Sequence, residues 1–136
     1  MLSNSFMERQ RTRHAVYQIT YHLVWCPKYR RAVLDGAVGD RLVAVLHELI
    51  PSIDGEIVEL AVRPAHVHLF AHFPPTLSPA QIRHRLKGAT SHTLRAEFPS
   101  LRSRLPSLWT SSYYCGTAGQ VSSETIRRYI DAQKGV

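Results

Sequence analysis

The order of periodic segments in this sequence predicts an α+β sandwich of ferredoxin-like or RRM-like layout, an antiparallel sheet with helices on one face. Apolar and polar residues alternate through 15–25 and 66–73, the period of half-buried strands. Apolar residues recur every three to four positions through 38–50 and again after 79, the period of amphipathic helices. Pro27, Pro51, Pro64, Pro79 and Pro99 fall at the joints between these segments.

Residues 1–14 carry Arg9, Arg11 and Arg13 and few core formers, and read as a flexible basic arm ahead of a single domain, 15–136. Tyr17, Ile19, Tyr21, Leu23 and Trp25 form the buried side of a first strand, with Gln18, Thr20 and His22 on the other. Pro27 ends it, and Lys28, Tyr29, Arg30 and Arg31 make a basic turn around an aromatic. Val38, Leu42, Val45, Leu46 and Leu49 predict a helix stopped by Pro51. Glu56 to Val62 and His66 to Phe73 read as strands, joined as a hairpin through Arg63, Pro64 and Ala65. Pro79 opens a long helix with Ile82, Leu86, Ala89, Thr93 and Ala96 on one stripe and Arg83, Lys87 and Arg95 off it, and Pro99 closes it. Tyr113 to Cys115 reads as a short fourth strand, followed by a loop with Gly116 and Gly119. The last helix spans Ser123 to Lys134 and carries Tyr129; Ser122 or Ser123 suits its N-cap, and Glu124 the positive end of its dipole. The sheet face away from the helices is expected to be left free for a ligand.

The 136 residues are 44% hydrophobic and 20% charged, enough for one core burying roughly two-thirds of the unfolded surface without disulfides or a structural metal. No apolar run reaches the ~18 residues of a membrane span and no signal peptide is visible, so a soluble, cytoplasmic protein without membrane association is expected. Seventeen Lys and Arg against ten Asp and Glu give a net charge of +7, which favours a polyanion, nucleic acid first. Cys26 and Cys115 lack the spacing of a metal finger or redox pair and read as buried free thiols, while Trp25 and Trp109 read as core.

On the third strand Val67, Leu69, Ala71 and Phe73 share one face, and His66, His68, Phe70 and His72 the other. Two imidazoles at i and i+2 can reach one divalent ion when both rings are neutral, and solvated strand histidines show the same spacing. On the last helix Tyr129 and Gln133 are four residues apart and share a face, which Ile126 and Ile130 could anchor to the sheet. That spacing describes a nucleophile with an oxygen donor, and equally a core aromatic with a surface amide.

These residues sit inside longer blocks: YHLVWCPKYRRAVL at 21–34, HVH at 66–68, LKG at 86–88, LPSLW at 105–109, SYY at 112–114 and YIDAQ at 129–133. Through them the chain, from Tyr17 to Gln133, resembles the TnpA-type single-tyrosine HUH transposases of bacterial insertion sequences, and more distantly the REP-associated tyrosine transposases. The resemblance implies His66, His68 and Gln133 as ligands of Mg2+ or Mn2+, and Tyr129 as the nucleophile that cleaves single-stranded DNA. It further implies a 5′-phosphotyrosine intermediate, hairpins near the element ends as recognition features, and a homodimer with sites shared between chains. Ala65 departs from the family's pattern, which commonly places an acidic residue before the first histidine. That change is expected to touch the hairpin rather than the ligand set.

Arg83, Lys87, Arg95, Lys28, Arg30 and Arg31 are candidates for phosphate contact, with Tyr29 or His92 available to stack on bases. A non-catalytic RRM-like nucleic-acid-binding protein, an inactive transposon remnant or repressor, is the competing class and predicts binding without a covalent product. A zinc hydrolase ranks below both, because no Asp or Glu lies around His66 to complete a strong ligand set.

Overall fold

The computed structural model describes residues 19–117 and 123–133. The basic arm, Tyr17, Gly119, Lys134 and the side chain of Ile126 lie outside the described residues. The elements run β1 (Thr20–Trp25), a 3-10 turn (Lys28–Arg30), α1 (Gly36–Ser52), β2 (Glu56–Arg63), β3 (His66–His72), α2 (Pro79–Glu97), α3 (Pro99–Arg104), β4 (Tyr114–Thr117) and α4 (Ser123–Ala132). The strands form one antiparallel sheet of order β2-β3-β1-β4, the ferredoxin-like arrangement the sequence predicts.

Alternation fixes which face of β3 is buried. Val67, Leu69, Ala71 and Phe73 are fully excluded from solvent. Trp25 and Val62 stand opposite Val67, and Leu23 and Leu60 opposite Leu69. α1 covers this face with Leu42, Leu46 and Ile50, and α2 with Ile82, Leu86 and Leu94. Trp25 and Trp109 meet edge to face at 6.0 Å inside the same core, as expected. Cys26 is a buried free thiol and Cys115 a half-buried one.

The structure departs from the expectations in several respects. Pro51 lies inside the last turn of α1 and does not stop it. The stop comes from the turn after it, where Asp54 has φ 64° and the amides of Asp54 and Gly55 donate to the carbonyls of Pro51 and Ile50. Gly55 is required there, because a Cβ would come within 2.8 Å of Ile50 and Phe73. The buried row of α2 is Ile82, Leu86, Thr90 and Leu94, stepping by four along one ridge of the helix, whereas Ala96 is exposed. Thr90 is tolerated inside because its hydroxyl donates to the Leu86 carbonyl and accepts from the Trp109 indole.

α2 ends at Glu97 ahead of Pro99, as expected, with Phe98 outside helical φ and ψ; Pro99 in addition opens the short helix α3, its fixed φ suiting a first helical turn. Strand β4 begins at Tyr114, one residue later than expected, and runs to Thr117. Finally, the second face of the sheet is not free throughout: α4 packs on β1, and Val24, on that face, is fully buried.

Leu69→Ala is expected to lower the unfolding free energy by about 2–5 kcal/mol, the range for emptying a packed leucine site. Val67→Asp should prevent folding, and His66→Ala, on the partly exposed face, should shift a urea midpoint much less. Equal midpoints for Leu69→Ala and wild type would contradict the assignment of this face to the core.

Candidate active site

The hairpin places its two histidines by closing tightly. Pro64 and Ala65 form the two-residue turn, Arg63 pairs with His66, and the Pro64 carbonyl accepts from the Leu34 amide. Ala65 is thus a turn residue and not part of the histidine-bearing strand. His66 and His68 project from β3 on the face opposite the core, both half-buried.

β1 adds a third imidazole that the sequence reading did not enlist. His22 stands opposite Phe70, stacks on its ring at 4.3 Å, and its Nδ1 lies 3.1 Å from His68 Nε2. The antiparallel pairing of β1 with β3 was the signal that could have found it, since His22 alternates away from Leu23. His72, the third histidine of the β3 face, is tied to the Thr20 hydroxyl at 2.6 Å.

Burial is the main reason that the pKa values of His22, His66, His68 and His72 all lie below the ordinary histidine value. Around His66, the nearby charges of Arg63, His68 and Arg30 push in the same direction. The rings are therefore neutral at neutral pH and keep nitrogen lone pairs for a cation.

α4 lies across the neighbouring part of this face. Its Tyr129 ring stands 6.2 Å from Tyr114 of β4, and Arg30 approaches Asp131 at 3.5 Å. Tyr129 and Gln133 converge on one hydroxyl, that of Ser112, in the segment leading to β4. Ser112 Oγ lies 3.1 Å from Tyr129 Oη and donates to Gln133 Oε1 at 2.8 Å. The Gln133 side-chain amide donates to the Tyr129 carbonyl at 3.3 Å. Burial pushes the Tyr129 phenol up to about 12, against a smaller opposing pull from Ser112.

Among the described residues, the structure brings Tyr129 to Gln133 and His66 to His68, and no hydrogen bond joins the two pairs. No three of the described His, Cys, Asp and Glu residues form a metal-binding group. Two neutral imidazoles with an amide oxygen nevertheless suit a divalent ion, because they add no charge and Gln133 Oε1 keeps a second lone pair. Ser112 went unread as a site residue in the sequence; a loop serine carries no periodic signal, and only the fold shows what it reaches.

The basic residues have varied surroundings. Lys87 donates to the carbonyls of Thr110 and Ser112, and burial lowers its pKa to about 8. Arg83 donates to the Ser111 carbonyl and covers the Tyr113 ring. Arg95 sits in the last turn of α2. Lys28 and Arg31 flank the exposed Tyr29 ring at 5.3 and 5.8 Å, while Tyr29 and Arg30 both adopt positive φ.

A family model described as "Transposase IS200 like" matches residues 15–133. The ISDra2 transposase TnpA of Deinococcus radiodurans is 34% identical over 129 residues, covering 93% of this chain and 92% of that protein. The transposase for insertion sequence element IS200 of Salmonella typhimurium is 29% identical over 122 residues, 88% of this chain and 80% of that one. Among solved structures, a candidate transposase from Deinococcus radiodurans R1 superposes with a TM-score of 0.85 at 32% identity, covering 93% of this chain and 98% of that one. A REP-associated tyrosine transposase bound to a REP hairpin shares the fold, with a TM-score of 0.55 at 16% identity over 89% of this chain and 69% of that chain.

The shared direction of the histidine shifts has a consequence for stability. The fold disfavours each imidazolium, so protonation draws the chain towards the unfolded state, and stability present above the ordinary histidine value is lost as pH falls below it. The melting temperature is expected to decline from about pH 7.5 to 5.5, and less steeply in a His22→Phe, His68→Phe double variant. A flat profile over that window in the wild-type chain would contradict the burial of these rings.

Proposed function

The chain belongs to the IS200-like transposase family, and from that premise we propose that it cleaves and rejoins single-stranded DNA at insertion-sequence ends, with Tyr129 as nucleophile. The observation that carries this reading is the convergence of Tyr129 and Gln133 on Ser112, on the same sheet face that presents His66 and His68. A core aromatic and a stray surface amide would have no reason to share one hydroxyl there.

In the proposed step, Tyr129 Oη attacks the scissile phosphorus, the phenolic proton leaves, and a Tyr129 O–P bond forms as the P–O3′ bond breaks. The leaving strand departs with a free 3′-OH, and the 5′ end stays on the enzyme. Because the phosphotyrosine conserves the energy of the broken linkage, a second 3′-OH can displace Tyr129 and seal a new junction. His66, His68 and Gln133 would hold a divalent ion, Mg2+ or Mn2+, which when bound polarises and orients the phosphate. The charge of the phosphodiester suits neutral ligands beside Arg63 and Arg30, and Glu59 is the carboxylate that lies near His68 on this face.

DNA contact is assigned to the exposed Tyr29 with its flanking Lys28 and Arg31, and to a groove of about 270 Å³ between α2 and residues 107–111. In that groove the buried Arg83 Nε and Thr110 Oγ1 have no hydrogen-bond partner among the described residues. Hairpins at the element ends are the proposed recognition feature; a relative of this fold has been captured on a REP hairpin. The proposed assembly is a homodimer in which α4 of each copy lies on the histidine face of the other. The contacts that hold α4, at Ser112 and Arg30, would be the same whichever copy supplies the helix.

With Mn2+ and a single-stranded oligonucleotide carrying the element end, the wild-type chain is expected to form a covalent adduct on a denaturing gel. Tyr129→Phe should abolish the adduct and retain binding, and His66→Ala or His68→Ala should lose cleavage while staying folded. Binding without adduct in the wild-type chain would favour the non-catalytic alternative, and adduct formation by Tyr129→Phe would direct attention to Tyr113 and Tyr114.

The shared-site arrangement is checked by mixing Tyr129→Phe chains with His66→Ala chains, each inert alone. Exchange of α4 gives a mixed dimer with one complete site, so cleavage should return. A mixed dimer that forms and stays inert would assign each tyrosine to its own chain's histidines.

A further inference from the structure

We propose that Ser112 is a positioning residue that holds the nucleophile and the amide ligand of α4 in one fixed arrangement, and that α2 in turn positions Ser112 through Lys87. The inference rests on the reading of Tyr129 and Gln133 given above.

A serine hydroxyl has one hydrogen to donate and two lone pairs to accept with. Ser112 gives its hydrogen to Gln133 Oε1 at 2.8 Å, which leaves its lone pairs for the Tyr129 hydroxyl at 3.1 Å. Both bonds are satisfied together by a single orientation of each group. The amide is also held at its other end, because Gln133 Nε2 donates to the Tyr129 carbonyl one turn back. The oxygen of Gln133 therefore faces outward to Ser112, and its nitrogen faces its own helix. A free glutamine side chain would have to be ordered before its oxygen could ligate a cation; this one is ordered already.

A loop hydroxyl can serve as a fixed post only if the loop is fixed, and this loop is. The carbonyls of Thr110, Ser111 and Ser112 are engaged in succession by Lys87, Arg83 and Lys87. Both cations project from α2, whose row Ile82, Leu86, Thr90 and Leu94 is buried in the core. The Thr110 amide further donates to the Cys26 carbonyl at the end of β1. A continuous set of contacts thus runs from the core helix through Lys87 to Ser112 and on to both functional groups of α4, bypassing the 118–122 connection. Lys87 then acts on the site indirectly, and its charge is used within the protein.

The experiment compares wild type, Ser112→Ala, Ser112→Thr and Lys87→Met by three measurements: oligonucleotide affinity, single-turnover adduct formation at saturating oligonucleotide, and Mn2+ affinity by calorimetry. Ser112→Ala should slow adduct formation roughly tenfold or more, the effect of losing a hydrogen bond at each of two groups, with oligonucleotide affinity unchanged. Its Mn2+ affinity should fall towards that of Gln133→Ala, and adding Ser112→Ala to Gln133→Ala should cost little more. Ser112→Thr keeps the hydroxyl and should recover most of both losses, and Lys87→Met should reproduce the alanine variant in part. If Ser112 merely fastened α4 to the fold, Ser112→Ala would lower the melting temperature and leave rate and Mn2+ affinity at low temperature unchanged. That result would overturn the proposal, as would equal impairment of the alanine and threonine variants. A wild-type chain that binds Mn2+ and yields no adduct would instead overturn the nucleophile reading, with the effect of Ser112 on Mn2+ affinity still separately measurable.

Discussion

The structure depends on the alternation of β3. This strand lies between β2 and β1, and four of its residues, Val67, Leu69, Ala71 and the adjoining Phe73, lie in the core with no exposure. A slip of one residue would exchange the two faces, moving the apolar set into water and the histidines into the core. Burial at about 25 cal/mol per Å² of apolar surface makes that exchange prohibitive, so the core fixes where His66 and His68 point. The functional face is a by-product of the packing face, placed with the same accuracy.

The same constraint sets the electrostatics. Imidazoles held against a sheet lose hydration, which keeps them neutral, and the positive charges of Arg63 and Arg30 act in the same sense on His66. Tyr129 is held neutral as well, by burial, which outweighs the opposing pull of the Ser112 hydroxyl. The charges around these neutral donors are mixed: Arg63 and Arg30 act on His66, while Glu59 acts in the opposite sense on His22 and His68. The His66 end gains from a ligand that brings negative charge of its own, and a phosphodiester does so. Under the proposed reading, ion and strand would therefore be bound better together than either alone.

Period-two and period-3.6 patterning made the sheet, the two long helices and the HVH pair legible, because each of those segments is buried on one side over several turns or pleats. The pattern failed where burial comes from polar pairing. Thr90 is not on the stripe expected for α2 and is buried, because Leu86 and Trp109 satisfy its hydroxyl. Val24 belongs by alternation to the polar side of β1 and is fully buried, on a strand against which α4 packs. A proline's missing amide predicts a stop at Pro51 and at Pro99; α2 does end ahead of Pro99, whereas Pro51 rides in the last turn of α1, which ends one residue later. Ser112 and His22 acquire meaning only from partners 17 to 46 residues away, at which separation local pattern is silent.

The two halves of the candidate site are held by different forces. His66 and His68 stand on a central strand whose reverse side is the core. Tyr129 stands on, and Gln133 just after, a ten-residue helix too short to persist alone in water, tied by Ser112, by the Tyr114 ring and by an Arg30–Asp131 pair whose carboxylate is exposed. Exposed pairs of that kind contribute about 0–1 kcal/mol, so they cannot fix the helix against a competing placement. The Ser112 contacts are more specific, since they engage both functional groups at once and are referred to the core through Lys87. Under the proposed reading, Tyr129 would thereby meet the scissile phosphate with its hydroxyl and the Gln133 amide already set in register by one side chain.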